Sequence, residues 1–97
     1  MFELDFTEST IQDLRYLKKT EQNLILDSLE EHLTQEPLNV TKNRKPLRSN
    51  DISAWELRVN KYRVFYDVNV EDNLVIIKAV GWKEHNQLFI RGKESEL

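Results

Sequence analysis

The sequence has no cysteine, which removes disulfides and thiolate metal sites and suits a reducing compartment. It has only two glycines, Gly81 and Gly92, so no glycine-rich loop can be assembled to cradle a phosphate. With only two prolines as well, collagen-like and low-complexity classes are excluded. The longest strongly apolar run, Leu74 to Val80, is interrupted by Lys78 and is far too short to span a bilayer as a helix. Met1-Phe2-Glu3 lacks the features of a basic, apolar leader, so a cytoplasmic protein that avoids membranes is expected. No His-Glu-x-x-His pattern occurs, and Glu30, Glu31 and His32 are adjacent rather than converging on one centre. Neither a metal nor a small-molecule cofactor is therefore expected. No elbow motif marks a nucleophilic serine.

What is present suits one folded unit. Ninety-seven residues are enough for a single core and too few for two, so one domain over 1–97 is expected. The net charge of −3 hides an asymmetry. Residues 1–41 carry nine acids and three bases, whereas 42–63 alone carry seven bases against Asp51 and Glu56. A pI near 5.4 argues against unspecific polyanion binding by the whole surface. A local basic stripe can still focus a polyanion on one face, although a solvated basic loop is the plainer reading of 42–48.

Phe2, Leu4 and Phe6 alternate with Glu3 and Asp5, the period of a half-buried strand. Ser9 and Gln12 can form a capping box, and Ile11, Leu14 and Leu17 predict a helix from about 8 to 19. Thr20 can cap a second helix with Leu24, Ile25, Leu29 and Leu33 on its apolar stripe, closed by Pro37. Residues 37–54 show no period and read as a surface loop. Trp55, Leu57 and Val59 alternate with Glu56 and Arg58, and Tyr62 to Val68 is aromatic and β-branched, so both are strands. Leu74 to Val80 supplies another strand, ended by Gly81, and 82–90 reads as a short tail helix or irregular closing segment. The expected fold is α+β, in the order β-α-α-β-β-β with the tail. The N-terminal strand and helical hairpin pack on one face of a small mainly antiparallel sheet.

If Asn60-Lys61 is a two-residue hairpin turn, Val59 lies opposite Tyr62, Leu57 opposite Val64 and Trp55 opposite Tyr66, all on the core face. The same register places Arg58 opposite Arg63 on the other face, with Glu56 beside them. Like charges opposed across strands are destabilising. Either Glu56 or Asp67 neutralises the pair internally, or the pair meets an external anion. Two forked guanidiniums at fixed spacing match phosphate better than flexible lysines would, which favours a phosphate-bearing ligand. Lys78 and Lys83 would add to the potential. His85 and Phe89, four residues apart, would share a face of one helical turn, giving a proton-transfer group beside a ring able to stack on a base. Phe89 could equally plug the open end of the sheet as a core residue, and Trp82 reads as a core residue.

Lys45-Pro46-Leu47, Trp55-Glu56-Leu57-Arg58-Val59, Tyr62-Arg63-Val64-Phe65-Tyr66 and Val80-Gly81 followed by basic residues together resemble the RelE/ParE superfamily of bacterial type II toxins. The resemblance spans Phe2 to Phe89. It implies a small toxin held inactive by an antitoxin that wraps it. RelE-like members cleave mRNA in the ribosomal A site without a metal, inhibiting translation, whereas ParE-like members inhibit DNA gyrase and cleave nothing. The ending His85 to Phe89 is similar to that of YafQ-type ribonucleases, whose tail histidine and phenylalanine belong to the active site. Arg63 matches the arginine of the Tyr-Arg motif, Arg58 the basic residue of the preceding strand, and Lys83 a basic position after the glycine. Where RelE ends in a tyrosine this chain has Phe89, so no phenol can act as base.

The resulting expectation is a ribosome-dependent mRNA endoribonuclease with a cognate antitoxin, ribosome and mRNA as partners. His85 would transfer a proton with Glu56 as its partner, and Arg63 and Arg58 would stabilise the charge developing on phosphate oxygens. Lys42, Lys45 and Lys83 would hold RNA phosphates, and Phe89 would stack on a base. The alternatives are a gyrase-inhibiting toxin and an inactive module that only binds antitoxin.

Overall fold

A computed structural model describes residues 1–95. Strand β1 (Glu3–Phe6) leads into helices α1 (Glu8–Arg15) and α2 (Lys19–Leu33). Strands β2 (Arg44–Pro46), β3 (Trp55–Val59), β4 (Tyr62–Asn69), β5 (Leu74–Glu84), β6 (Gln87–Ile90) and β7 (Lys93–Ser95) follow. Among the described residues the seven strands form one sheet, in the order β2-β3-β4-β5-β6-β7, with β1 also paired to β5. The α+β architecture, with both helices against one face of a mainly antiparallel sheet, agrees with the sequence reading. No helix of the described residues is long and apolar enough to cross a membrane.

The helices differ from expectation at their ends. Thr7, not Ser9, caps α1, its Oγ1 accepting from Thr10 N at 3.2 Å. The helix stops at Arg15 with Tyr16 as C-cap, short of residue 19. Lys18 occupies the cap position of α2 without a side-chain bond, so Thr20 lies inside the helix rather than capping it. The buried stripe of α2 is Ile25, Leu29 and Leu33, which pack with Leu57, Val64, Tyr66, Val75 and Ile77 into the main core.

The loop read over 37–54 contains β2, paired antiparallel with β3 through Arg44↔Leu57 and Pro46↔Trp55. Its anchor is Arg44, a member of the supposed basic stripe. The side chain is buried, with Nε donating to Asn39 O at 3.1 Å and Nη1 to His32 O near the end of α2. This cation satisfies one carbonyl in the last turn of α2 and one in the loop beyond it, and is not offered to solvent. Tyr66 likewise ties the loop down, its hydroxyl donating to Pro37 O at 2.7 Å. The β3–β4 hairpin has the predicted register, with Val59↔Tyr62, Leu57↔Val64, Trp55↔Tyr66 and Arg58↔Arg63.

β5 does not end at Gly81 but runs eleven residues to Glu84. One edge pairs with β4, with an irregularity between Phe65 and Tyr66 that leaves Lys78 as an extra residue. The other edge is shared. β1 pairs parallel from Leu74 to Ile77, and β6 pairs antiparallel from Gly81 to Glu84. Side chains of α1 fill the gap between them. Thr10 Oγ1 donates to Ile77 O at 2.6 Å, and Val80 N donates to Asp13 Oδ2 at 3.0 Å. Those bonds explain why Thr10 and Asp13 are buried although polar. Asp13 Oδ1 also lies 3.3 Å from Arg91 Nη1, which fastens the β6–β7 turn to α1.

The tail helix expected over 82–90 is replaced by two hairpins. His85 (φ 50°) and Asn86 (φ 68°) turn β5 into β6, and Arg91 (φ 53°) and Gly92 (φ 76°) turn β6 into β7. Two consecutive positive φ angles are the geometry of a tight hairpin turn, and Asn and His tolerate it better than most residues. Gly81 stands where β5 begins to pair with β6. A Cβ there would fall inside the contact shell of Phe89 O and 2.9 Å from Ile90 Cγ1.

Gly81→Ala is therefore expected to destabilise the protein by about 1–3 kcal/mol, with amide exchange accelerating first in β6. Normal exchange there would contradict the close-approach role. Burial raises the Asp13 carboxyl above its ordinary 3.8, outweighing the Val80 N–H and Arg91, which lower it. A folded pKa above the unfolded one gives stability that is present below the unfolded value and lost as pH rises through the folded one. Asp13→Asn keeps an acceptor for Val80 N–H and cannot ionise. Its Tm relative to wild type should increase as pH is raised from below 3.8 towards neutrality; a pH-independent difference would contradict this.

Candidate functional site

The face of the sheet away from the helices carries a second, smaller core of Phe65, Ala79, Leu88 and Ile90, with Leu47 and Ile52 packed against it. Leu47 follows β2 and Leu88 belongs to β6, near opposite sides of the sheet, so the sheet curls towards this face. The concavity holds a groove of about 600 Å³ whose walls include Lys45, Arg48, Glu56, Lys83 and Asn86.

Arg58, Arg63, Gly81 and Ile90 form one cross-strand row on the concave face. Arg58 is exposed, but Arg63 is only 8% exposed. Its Nη1 donates to Asn60 O and Tyr62 O, both at 2.8 Å, so the hairpin turn that sets the register also holds the guanidinium. Among the described residues no carboxylate forms an ion pair with either arginine. Asp67 instead accepts from Ala54 N at 2.6 Å, and Glu56 lies 3.8 Å from Lys45 Nζ. Burial pushes the Arg63 pKa down, Arg58 pushes it further down, and Glu56 pulls it back up. An arginine so placed remains charged at neutral pH. The site is thus a sheltered cation in no ion pair with an acid of the described residues, beside a second cation and a carboxylate that is itself only 6% exposed.

The structure brings some sequence candidates together and separates others. Lys45 and Glu56 are cross-strand neighbours on this face, and Lys83 joins them through its pairing with Leu88. His85 is exposed in the β5–β6 turn, next to Asn86 on the groove wall. Phe89 is elsewhere. It pairs with Trp82, and the two rings stack at 5.9 Å between centroids and 17° between planes. Alternation along β6 puts Phe89 on the helix side of the sheet, opposite Leu88, so the shared helical face expected for His85 and Phe89 does not exist. Lys42 is exposed in the loop before β2, and Lys78 lies beside Asp67 in a different hollow. Arg48 and Asn86 are groove residues that the sequence reading did not select. In the sequence Arg48 is only one more base in a basic run, and nothing marks Asn86, because the turn that holds it contains no glycine.

Since Arg58 and Arg63 repel across the strand pair, Arg58→Gln should stabilise the fold by between about 0.2 and 1 kcal/mol. The gain in denaturation midpoint should shrink at high salt. A loss of stability would show that the repulsion is already neutralised.

A family model described as the ParE toxin of the type II toxin-antitoxin system, parDE, matches residues 4–86. The crystal structure of the isolated Escherichia coli RelE toxin is similar, at 28% identity and a TM-score of 0.67, over 88% of this chain and 87% of that one. The RelBE2 toxin-antitoxin complex of Mycobacterium tuberculosis aligns at 24% identity and a TM-score of 0.68, over 84% of this chain and 98% of that one. The YoeB-YefM complex of Staphylococcus aureus aligns at 22% identity and a TM-score of 0.62, over 88% and 98%. These last two likenesses speak to the fold alone. No curated protein sequence matches significantly. With most of its length matched by the family model, and with the fold of RelE, the chain belongs to the ParE toxin family of type II toxin-antitoxin systems, within the RelE/ParE superfamily.

Proposed function

We propose that this toxin is an endoribonuclease that cuts ribosome-bound mRNA and is held in check by a cognate antitoxin. The observation that carries the reading is Arg63, a sheltered guanidinium held by two carbonyls and, among the described residues, by no carboxylate, beside Arg58 and the groove that contains Glu56. A phosphodiester supplies the missing negative charge. The likeness to the RelE toxin adds support, and membership of a toxin-antitoxin toxin family supports the antitoxin partner.

In the scheme, the 2′-hydroxyl of a bound nucleotide attacks the adjacent phosphorus. The new O–P bond forms as the bond to the 5′-oxygen breaks, leaving a 2′,3′-cyclic phosphate and a 5′-hydroxyl. Glu56 takes the 2′ proton, and His85, reaching in from the rim, gives one to the departing oxygen. Arg63 and Arg58 stabilise the charge that grows on the non-bridging oxygens. Lys45 and Lys83 on the groove, and Lys42 outside it, hold flanking phosphates. Phe89 has no part in this scheme, because its ring is committed to Trp82 on the far face.

The family model is named for ParE, which favours one second reading, in which the cationic face grips gyrase and cuts nothing. Purified toxin mixed with programmed ribosomes separates the two. Cut mRNA bearing cyclic phosphate ends is expected, with rates lowered about 100- to 10,000-fold by His85→Ala or Glu56→Gln and about 100- to 1,000-fold by Arg63→Ala. Intact mRNA together with blocked DNA supercoiling would overturn the ribonuclease reading.

A further inference from the structure

The concave face continues beyond the groove. A second hollow of about 470 Å³ lies at its outer end, lined by Tyr16, Ile52, Ile90, Arg91 and Lys93, and it shares Glu94 and Ser95 with the groove. The floor is continuous too, because Ile52 and Ile90 belong to the same apolar cluster as Leu47 and Leu88. On the reading of the groove as an RNA-cutting site, we propose that this hollow is a second nucleotide subsite, in which Tyr16 stacks on a base and Lys93 pairs with a phosphate.

Three observations carry it. Tyr16 is 64% exposed, the one aromatic ring among the described residues left so open. Its backbone is held, since the N–H bonds Asp13 O at 3.2 Å as the C-cap of α1, so the ring is carried on a fixed point of the chain. An aromatic face so placed offers a base a stacking partner without regard to sequence. Lys93 pairs with Ile90 and so stands in the cross-strand row of Gly81 and Arg63, facing the same side as the arginine pair. Arg91 is already engaged by Asp13, whereas Lys93 forms no ion pair among the described residues. The hollow therefore combines a ring, an apolar floor and a cation that pairs with no acid of the described residues, in line with the groove.

Binding of non-cleavable, 2′-O-methyl oligoribonucleotides of increasing length to the purified toxin tests the proposal. Affinity should rise about tenfold on addition of the nucleotide that reaches Tyr16, the gain from stacking on one ring. Tyr16→Ala should abolish that step, Tyr16→Phe should keep it, and Lys93→Ala should lower the salt slope by about one. Binding of the shortest oligonucleotide should be unchanged in all three. A length step that survives Tyr16→Ala would overturn the subsite and leave the RNA reading standing. Absence of binding at every length, with an antitoxin peptide seated on Tyr16 instead, would overturn both.

Discussion

The backbone edge of β5 is the constraint on which the rest of the structure depends. An eleven-residue strand in the middle of a sheet has hydrogen-bonding groups on two sides, and each one left unpaired in the interior costs about 1–3 kcal/mol. β4 covers one side. On the other, β1 and β6 each take part of the length, and Thr10 and Asp13 of α1 take the interval between them. That arrangement places α1 across the sheet edge. Through Asp13 and Arg91 it also fixes the tail hairpin. With the tail fixed, the sheet curls, and the curl makes the groove.

Charge is then sorted by face rather than by sum. The acids of residues 1–41 are mostly on the two helices and β1, while Arg58, Arg63, Lys45, Lys83, Arg48 and Lys93 gather on or around the concave side. A net charge of −3 is therefore compatible with a local cationic field, which low-dielectric walls strengthen. The arginine pair sets like charges opposite one another across the strands, and perturbed groups of this kind cluster at functional sites.

The parts legible in the sequence were those governed by short-range period. Asn60-Lys61 between two alternating segments was enough to specify the hairpin register and the opposition of Arg58 and Arg63. Less was legible where long-range contacts decide. Thr10 and Asp13 are buried because of what β5 lacks, which no local pattern announces. Arg44 reads as one more surface base until α2 ends beside it. The tail is poorly legible because a spacing of four, as between His85 and Phe89, fits a strand as well as a helix. The turn residues His85 and Asn86 also lack the glycine that usually marks a tight hairpin. The consequence was chemical as well as structural, since it removed Phe89 from the site and brought Asn86 to it.

On the proposed function the concave cations meet the phosphates of an mRNA rather than the surface of a protein. Primer extension on transcripts from cells expressing the toxin without its antitoxin tests this most directly. Discrete cuts in step with the reading frame are predicted, because the ribosome presents codons one at a time. Full-length transcripts during growth arrest would contradict it.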